Sequence, residues 1–288
     1  MLKPLHFLIS GLAFLLLMCL LIPVNTGCKT KTVYDTTYIH DTITINKNSI
    51  FLCWLYGAWQ EGQGILISDP IADTALSHLK IEWGDTSSLF LYKFIYPGYI
   101  GFYDELYLSA STNYKLTLTS NIGSSQGTIK MPDSTTITQP YDWQVIPLGQ
   151  NITCMWTDAG SSCYEVYYYI DGYDSYGYWV GGIYKDIFVS TNSLTLPAGL
   201  FNIAGAVRYD VDFYVDPFAG PLPSPGASGN MTGTIKGFLI AYGEGDDVYF
   251  YVGSSPLKTE QKHDKKQPSR QDHMNAYLKQ LGVQEIIK

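Results

Sequence analysis

Three aspartates crowd the segment YDVDFYVDP: Asp210, Asp212 and Asp216. Two residues apart on an extended chain means one shared face, so Asp210 and Asp212 would project together. Calcium takes six to eight oxygens, mostly carboxylates and carbonyls gathered on a turn. The three aspartates are therefore the candidate calcium ligands, although the segment does not follow the twelve-residue calcium loop. Calcium is the one cofactor the residues suggest. The competing reading is a set of solvated acids on an acidic surface. A second cluster offers stacking chemistry. Tyr173, Tyr176, Tyr178 and Trp179 lie in YDSYGYW, a glycine-containing turn region that also carries Asp174. Aromatic faces with a few polar groups suit sugar rings, and the competing reading is that such rings fill a core. Trp156 is read as core.

Catalytic constellations are sparse. Of the five histidines, His6, His40, His263 and His273 fall near the two ends of the chain, and His78 alone lies in a segment of strand composition. No HExxH, CxxC or phosphate-binding glycine loop is present, and no nucleophile-elbow pattern supports a triad around His78. No acid pair points to glycoside hydrolysis. The expected function is non-enzymatic binding or display, with carbohydrate binding through the Tyr173–Trp179 aromatics as the alternative. A hydrolase centred on His78 is the third reading. Cys154 and Cys163 are the candidate disulfide, which export would permit. Strand alternation opposes the bond, because it turns Cys154 inward while Cys163 is out of phase with Val166, Tyr168 and Ile170. Cys53, inside an apolar run, reads as a buried thiol.

These residues sit in a chain of 288 residues with 46% apolar and 15% charged residues, which can build a core. The 24 tyrosines, with abundant threonine and glycine, indicate strands and turns. The net charge of -8 is uneven: both ends are basic, while residues 33–256 hold 8 bases against 22 acids. So acidic a body argues against nucleic acid, which needs a basic footprint.

The fold class expected is all-β, with two tandem β-sandwiches. Residues 50–131 form the first, with IFLCWLY as a strand buried on both faces and YKLTLTSNIGSSQGTIKM as a hairpin. Residues 132–140, PDSTTITQP, read as a linker. Residues 141–255 form the second sandwich, and 216–230 read as a long loop rich in proline and glycine. The end, 256–288, is a charged tail in which Met274, Tyr277, Leu278 and Leu281 would share one side of a short helix. In the second sandwich a strand ending in Trp156, a tyrosine-rich strand and LTLPAGLFNIAGAVRYDV together resemble the fibronectin type III and immunoglobulin-like folds. That resemblance implies a core tryptophan and a corner before the strand carrying Val207 and Tyr209. It implies little about function, because sandwiches host many.

The start of the chain reads as an export signal, residues 1–27. Lys3 is followed by an apolar run from Phe7 to Ile22, which Pro23 ends. Asn25-Thr26-Gly27-Cys28 resembles the lipobox of bacterial lipoproteins, carried by Gly27 and Cys28, with Asn25 where leucine is usual. The resemblance implies lipidation of Cys28, a bacterial cell-envelope location and the membrane as a partner. A secreted protein is the alternative. Residues 28–49, polar and threonine-rich, would then be a tether, and the binding partner would be a glycan or an envelope protein.

Overall fold

A computed structural model describes residues 49–254, apart from 59, 69–71, 97–98 and 225, together with Tyr277 and Gln280. The signal segment, Cys28, nearly all of the tether and most of the tail lie outside the described residues. Among the described residues no helix is long and apolar enough to cross a membrane. The chain is all-β.

In chain order the strands are β1 (Ile50–Tyr56), β2 (Glu61–Ile67), β3 (His78–Trp83), β4 (Ser87–Phe90), β5 (Tyr92–Tyr96), β6 (Tyr99–Glu105), β7 (Asn113–Ser120) and β8 (Gly123–Lys130). Then come β9 (Ile137–Gln139), β10 (Val145–Ile146), β11 (Ile152–Trp156), β12 (Cys163–Tyr173), β13 (Trp179–Val189) and β14 (Ser193–Leu196). The last are β15 (Arg208–Ala219), β16 (Thr232–Gly233), β17 (Lys236–Tyr242) and β18 (Asp246–Val252).

Two sandwiches form, and they share one sheet. Ten strands join in the order β10-β18-β15-β17-β1-β2-β6-β5, with β12 on the other edge of β15 and β13 beyond it. A five-stranded sheet, β16-β8-β7-β3-β4, covers one face of the β1, β2, β6 and β17 region. Between them lies a core that includes Phe51, Leu55, Phe102, Leu116 and Leu239. A three-stranded sheet, β14-β11-β9, covers the β12, β15 and β18 region, enclosing Trp156, Val166, Val211, Phe213 and Phe250.

Strand β1 explains its own composition. Phe51, Cys53 and Leu55 enter the first core, while Leu52, Trp54 and Tyr56 enter a third apolar cluster on the opposite face. A strand apolar at every position is what two buried faces require. Tyr277 of the tail joins this third cluster; its hydroxyl donates to the Pro221 carbonyl at 3.0 Å and its ring lies 6.0 Å from Phe218. Of the four apolar tail residues, Met274, Leu278 and Leu281 lie outside the described residues.

Three tyrosines pin corners in the manner of sandwich folds. The hydroxyl of Tyr114 accepts from the Ser109 amide at 2.7 Å, that of Tyr164 from Ala159 at 3.0 Å, and that of Tyr209 from Ile203 at 3.0 Å. Tyr209 lies on the strand expected to follow the corner and is buried, whereas Val207, expected on the same strand, stands exposed just before β15.

Several boundaries differ from expectation. Within the first sandwich the segment SLFLYKFIY divides between two strands: β4 ends one sheet and β5 ends the other, with buried Leu91 turning the corner between them. The expected linker contains β9, and its backbone is tied down. The Asp133 amide donates to Ala159 O, that of Thr135 to Glu244 O, and that of Ile137 to the Asp246 carboxylate. The largest difference is β17. Its sequence position puts it in the second sandwich, yet it pairs in parallel with β1 from Ile50↔Lys236 to Tyr56↔Tyr242, and Leu239 and Ala241 enter the first core.

Strands β17 and β18 act as one long strand with a break at Gly243–Gly245. Both run antiparallel to β15, which meets Ala241 and Tyr242 at one end and residues 246–252 along the rest. Opposite the break lies Pro217, which has no N–H to offer a ladder. Its carbonyl accepts from the Gly243 amide at 2.9 Å. Gly245 leaves room that a Cβ would not, since a Cβ there would lie 2.6 Å from the Val215 carbonyl oxygen and overlap the Asp216 carboxylate.

Candidate ligand-binding face

The shared sheet sorts its side chains by strict alternation. On β12, Val166, Tyr168 and Ile170 face the second core, so Glu165, Tyr167, Tyr169 and Asp171 face away. On β15, Tyr209, Val211, Phe213 and Val215 face the core, so Asp210, Asp212, Tyr214 and Asp216 face away. Register then builds a lattice of acids and phenols. Glu165 lies beside Asp216, Tyr167 beside Tyr214, Tyr169 beside Asp212, and Asp171 beside Asp210. On the other side of β15, Tyr251, Tyr249 and Asp247 of β18 lie beside Asp210, Asp212 and Tyr214. The Tyr167 and Tyr214 rings stack at 4.7 Å. Burial raises the Tyr167 and Tyr214 hydroxyls well above the ordinary phenol range, and the nearby carboxylates add to it.

The three candidate calcium ligands share this face, as their spacing implied, but do not form a metal centre. Asp210 is buried within a network: its Oδ1 accepts from Arg208 Nε at 3.0 Å and its Oδ2 from the Tyr249 hydroxyl at 2.6 Å. Arg208 in turn lies 4.5 Å above the Tyr173 ring. Asp216 faces the Gly243–Gly245 break, six residues further along β15. Among the described residues, no three His, Cys, Asp or Glu side chains come together as a metal ion would need. An extended strand separates its ends by about 3.3 Å per residue, which is why one face is not one site.

The aromatic candidates divide. Tyr173 is buried under Arg208, whereas Tyr176, Tyr178 and Trp179 are 80%, 71% and 48% exposed at the tip of the β12–β13 hairpin. The tip is held in shape by Asp174, whose Oδ1 accepts the amides of Tyr176 at 2.8 Å and Tyr178 at 2.9 Å. Gly177 takes φ +85° in the turn, a conformation that favours glycine. Trp179 Nε1 donates to Asp171 Oδ1 at 2.8 Å, which orients the indole. The result is a preset aromatic surface beside two carboxylates.

The cysteine expectation is corrected: Cys154 and Cys163 are free thiols. Cys154 lies in the second core and Cys163 in the third cluster, on opposite faces of the shared sheet. Desolvation by burial pushes both thiols up to about 12. Both are therefore protonated and poor nucleophiles at neutral pH. The expected result is that a thiol-directed reagent labels neither residue in the folded chain and both in denaturant, counted by peptide mass. A Cys154–Cys163 linked peptide would contradict this. His78 stands exposed at the start of β3, edge-on to the Phe90 ring at 6.2 Å.

No family model matches the chain, and no curated protein matches it. Among solved structures, it is similar to the fibronectin(III)-like modules of Clostridium thermocellum CbhA. The identity is 12%, over 73% of this chain and 94% of that one, with a TM-score of 0.23. It is also similar to the calcium binding domain CBD12 of CALX1.1, at 9% identity over 59% of this chain and 80% of that one, with a TM-score of 0.20. The sandwich assignment rests on the paired sheets, the cores between them and the three tyrosine corners.

Proposed function

We propose that this chain is a non-enzymatic binding protein of the bacterial cell envelope, held to the membrane by lipid on Cys28 and displaying its shared sheet to a partner. The observation that carries the binding part is the hairpin tip. Three large aromatics are held out in solvent by a turn that Asp174 fixes and by the Asp171 bond to Trp179. Solvating that much aromatic surface is costly, and fixing it in advance lowers the ordering cost of binding. The anchor part is supported by the apolar run ending at Pro23 and by Gly27-Cys28.

A second reading names the ligand as carbohydrate. It is favoured by aromatic faces placed beside Asp171 and Asp174, because sugars offer C–H faces and hydroxyl donors together. A glycan array probed with the intact protein and with Trp179→Ala tests it. The expected result is binding that falls about tenfold or more in the variant, roughly the loss of one stacking contact with its oriented indole. An intact protein that captures no glycan rejects the carbohydrate reading.

A further inference from the structure

The break between β17 and β18 opens a cleft of about 230 Å³. It is a consequence of topology, because the long strand passes from one sandwich to the other there and interrupts the ladder on one edge of β15 at Asp216 and Pro217. Two stacked tyrosine pairs line it: Tyr56 with Tyr242 at 5.3 Å and 11°, and Tyr167 with Tyr214 at 4.7 Å and 16°. The remaining lining is Ala58 and the acidic loop Gly243–Asp247, with Asp216 opposite; no lysine or arginine takes part.

Tyr214 adds an independent observation. Its ring is 2% exposed, and its hydroxyl is buried with no hydrogen-bond partner. A buried polar atom left unmet is costly, so a native structure rarely keeps one without a use. Phenol faces, carboxylates and a waiting hydroxyl discriminate among ligands. Anions are repelled by Asp216, Glu244, Asp246 and Asp247. A bare metal ion lacks a gathered set of oxygens, as already noted for the described residues. An ammonium carried on alkyl groups fits this lining, since the carboxylates attract its charge and the tyrosine pairs, each residue 1–3% exposed, floor the cleft beneath its carbon surface.

We propose that this cleft is a binding site for a small organic ammonium ion bearing a hydrogen-bonding group. The tyrosine pairs floor the site, Asp216 and Asp247 balance the charge of the alkylated nitrogen, and the Tyr214 hydroxyl takes the polar group. None of these residues belongs to the hairpin tip, so the site stands or falls separately from the carbohydrate reading.

Calorimetric titration of the folded protein tests it with choline and with 3,3-dimethylbutan-1-ol, the uncharged analogue with carbon in place of nitrogen. Choline should bind saturably and the neutral analogue at least about tenfold more weakly, since the charge is what the carboxylates read. Tyr214→Phe should weaken choline about fivefold, the value of one hydrogen bond, and leave the melting temperature unchanged or higher. Asp247→Asn should weaken it by a similar or larger factor. Absence of choline binding by folded protein overturns the proposal. So does equal binding of the neutral analogue, or unchanged binding by both variants.

Discussion

Raising the pH past about 10 should destabilise this protein steeply, with unfolding expected at about pH 11 and above. Five tyrosines almost wholly removed from solvent are responsible: Tyr167, Tyr214, Tyr242, Tyr249 and Tyr277. In each, burial raises the folded-state hydroxyl above its ordinary value. Neighbouring carboxylates push further in the same direction, Glu165 at Tyr242 and Asp210 at Tyr249 among them. The direction of the pH effect follows. A group whose folded value lies above its unfolded one contributes stability that is complete below the unfolded value, about 10 for tyrosine. That stability is lost as pH climbs toward the folded value, because only the unfolded chain releases the proton. Each group costs about 1.4 kcal/mol for each pH unit above 10, so the five together cost about 7 kcal/mol at pH 11. That equals the whole stability of an ordinary domain. Phenolate absorbance and far-ultraviolet circular dichroism, followed together, should show these tyrosines ionising only as the strands are lost. Gradual ionisation of all tyrosines with an unchanged dichroism spectrum would contradict the burial described here.

Asp210→Ala should destabilise the protein by about 3–5 kcal/mol, the usual result of removing one partner from a buried ion pair. Arg208 and Asp210 are 5% and 7% exposed, and the carboxylate binds both the guanidinium and the Tyr249 hydroxyl. Deleting it leaves the Arg208 guanidinium buried over the Tyr173 ring without the carboxylate that balances its charge. Asp212→Ala is the control, because Asp212 is half-buried on the same strand and face, and it should cost clearly less. Urea unfolding of both variants, with and without calcium, separates the readings. Asp210 as a structural residue predicts a loss that calcium neither causes nor repairs. A wild-type stability that rises with calcium, with the rise abolished by Asp210→Ala, would restore the metal reading.

Much of this was legible in local pattern. The β7–β8 hairpin follows from Tyr114, Leu116 and Leu118 alternating with polar residues, and all three point into the first core. Alternation is a property of the backbone and survives packing, so it opposes a Cys154–Cys163 bond in the sequence and in the fold alike. Alternation also sets Asp210 and Asp212 on one face. It gave no hint that the face is crowded with phenols from β12 and β18, because register between distant strands is not written in either strand. The role of β17 was hidden for a related reason. KGFLIAY reads as a doubly buried strand wherever it goes, and only its pairing with β1 decides which core it serves. The β9 segment misled because one apolar residue, Ile137, among threonines carries no period; its strand exists through backbone bonds to β11. The cleft at Gly243–Gly245 depends on all of these long-range pairings, so nothing local announces it.

The claim that this is an anchored display protein rests on the chain before residue 49, and one measurement reaches it directly. The N-terminal peptide of the mature protein is isolated from membrane fractions and its mass determined. The account predicts a peptide beginning at Cys28 and carrying the mass of thioether-linked and amide-linked acyl chains. An unmodified peptide, or one beginning at another residue, would contradict it.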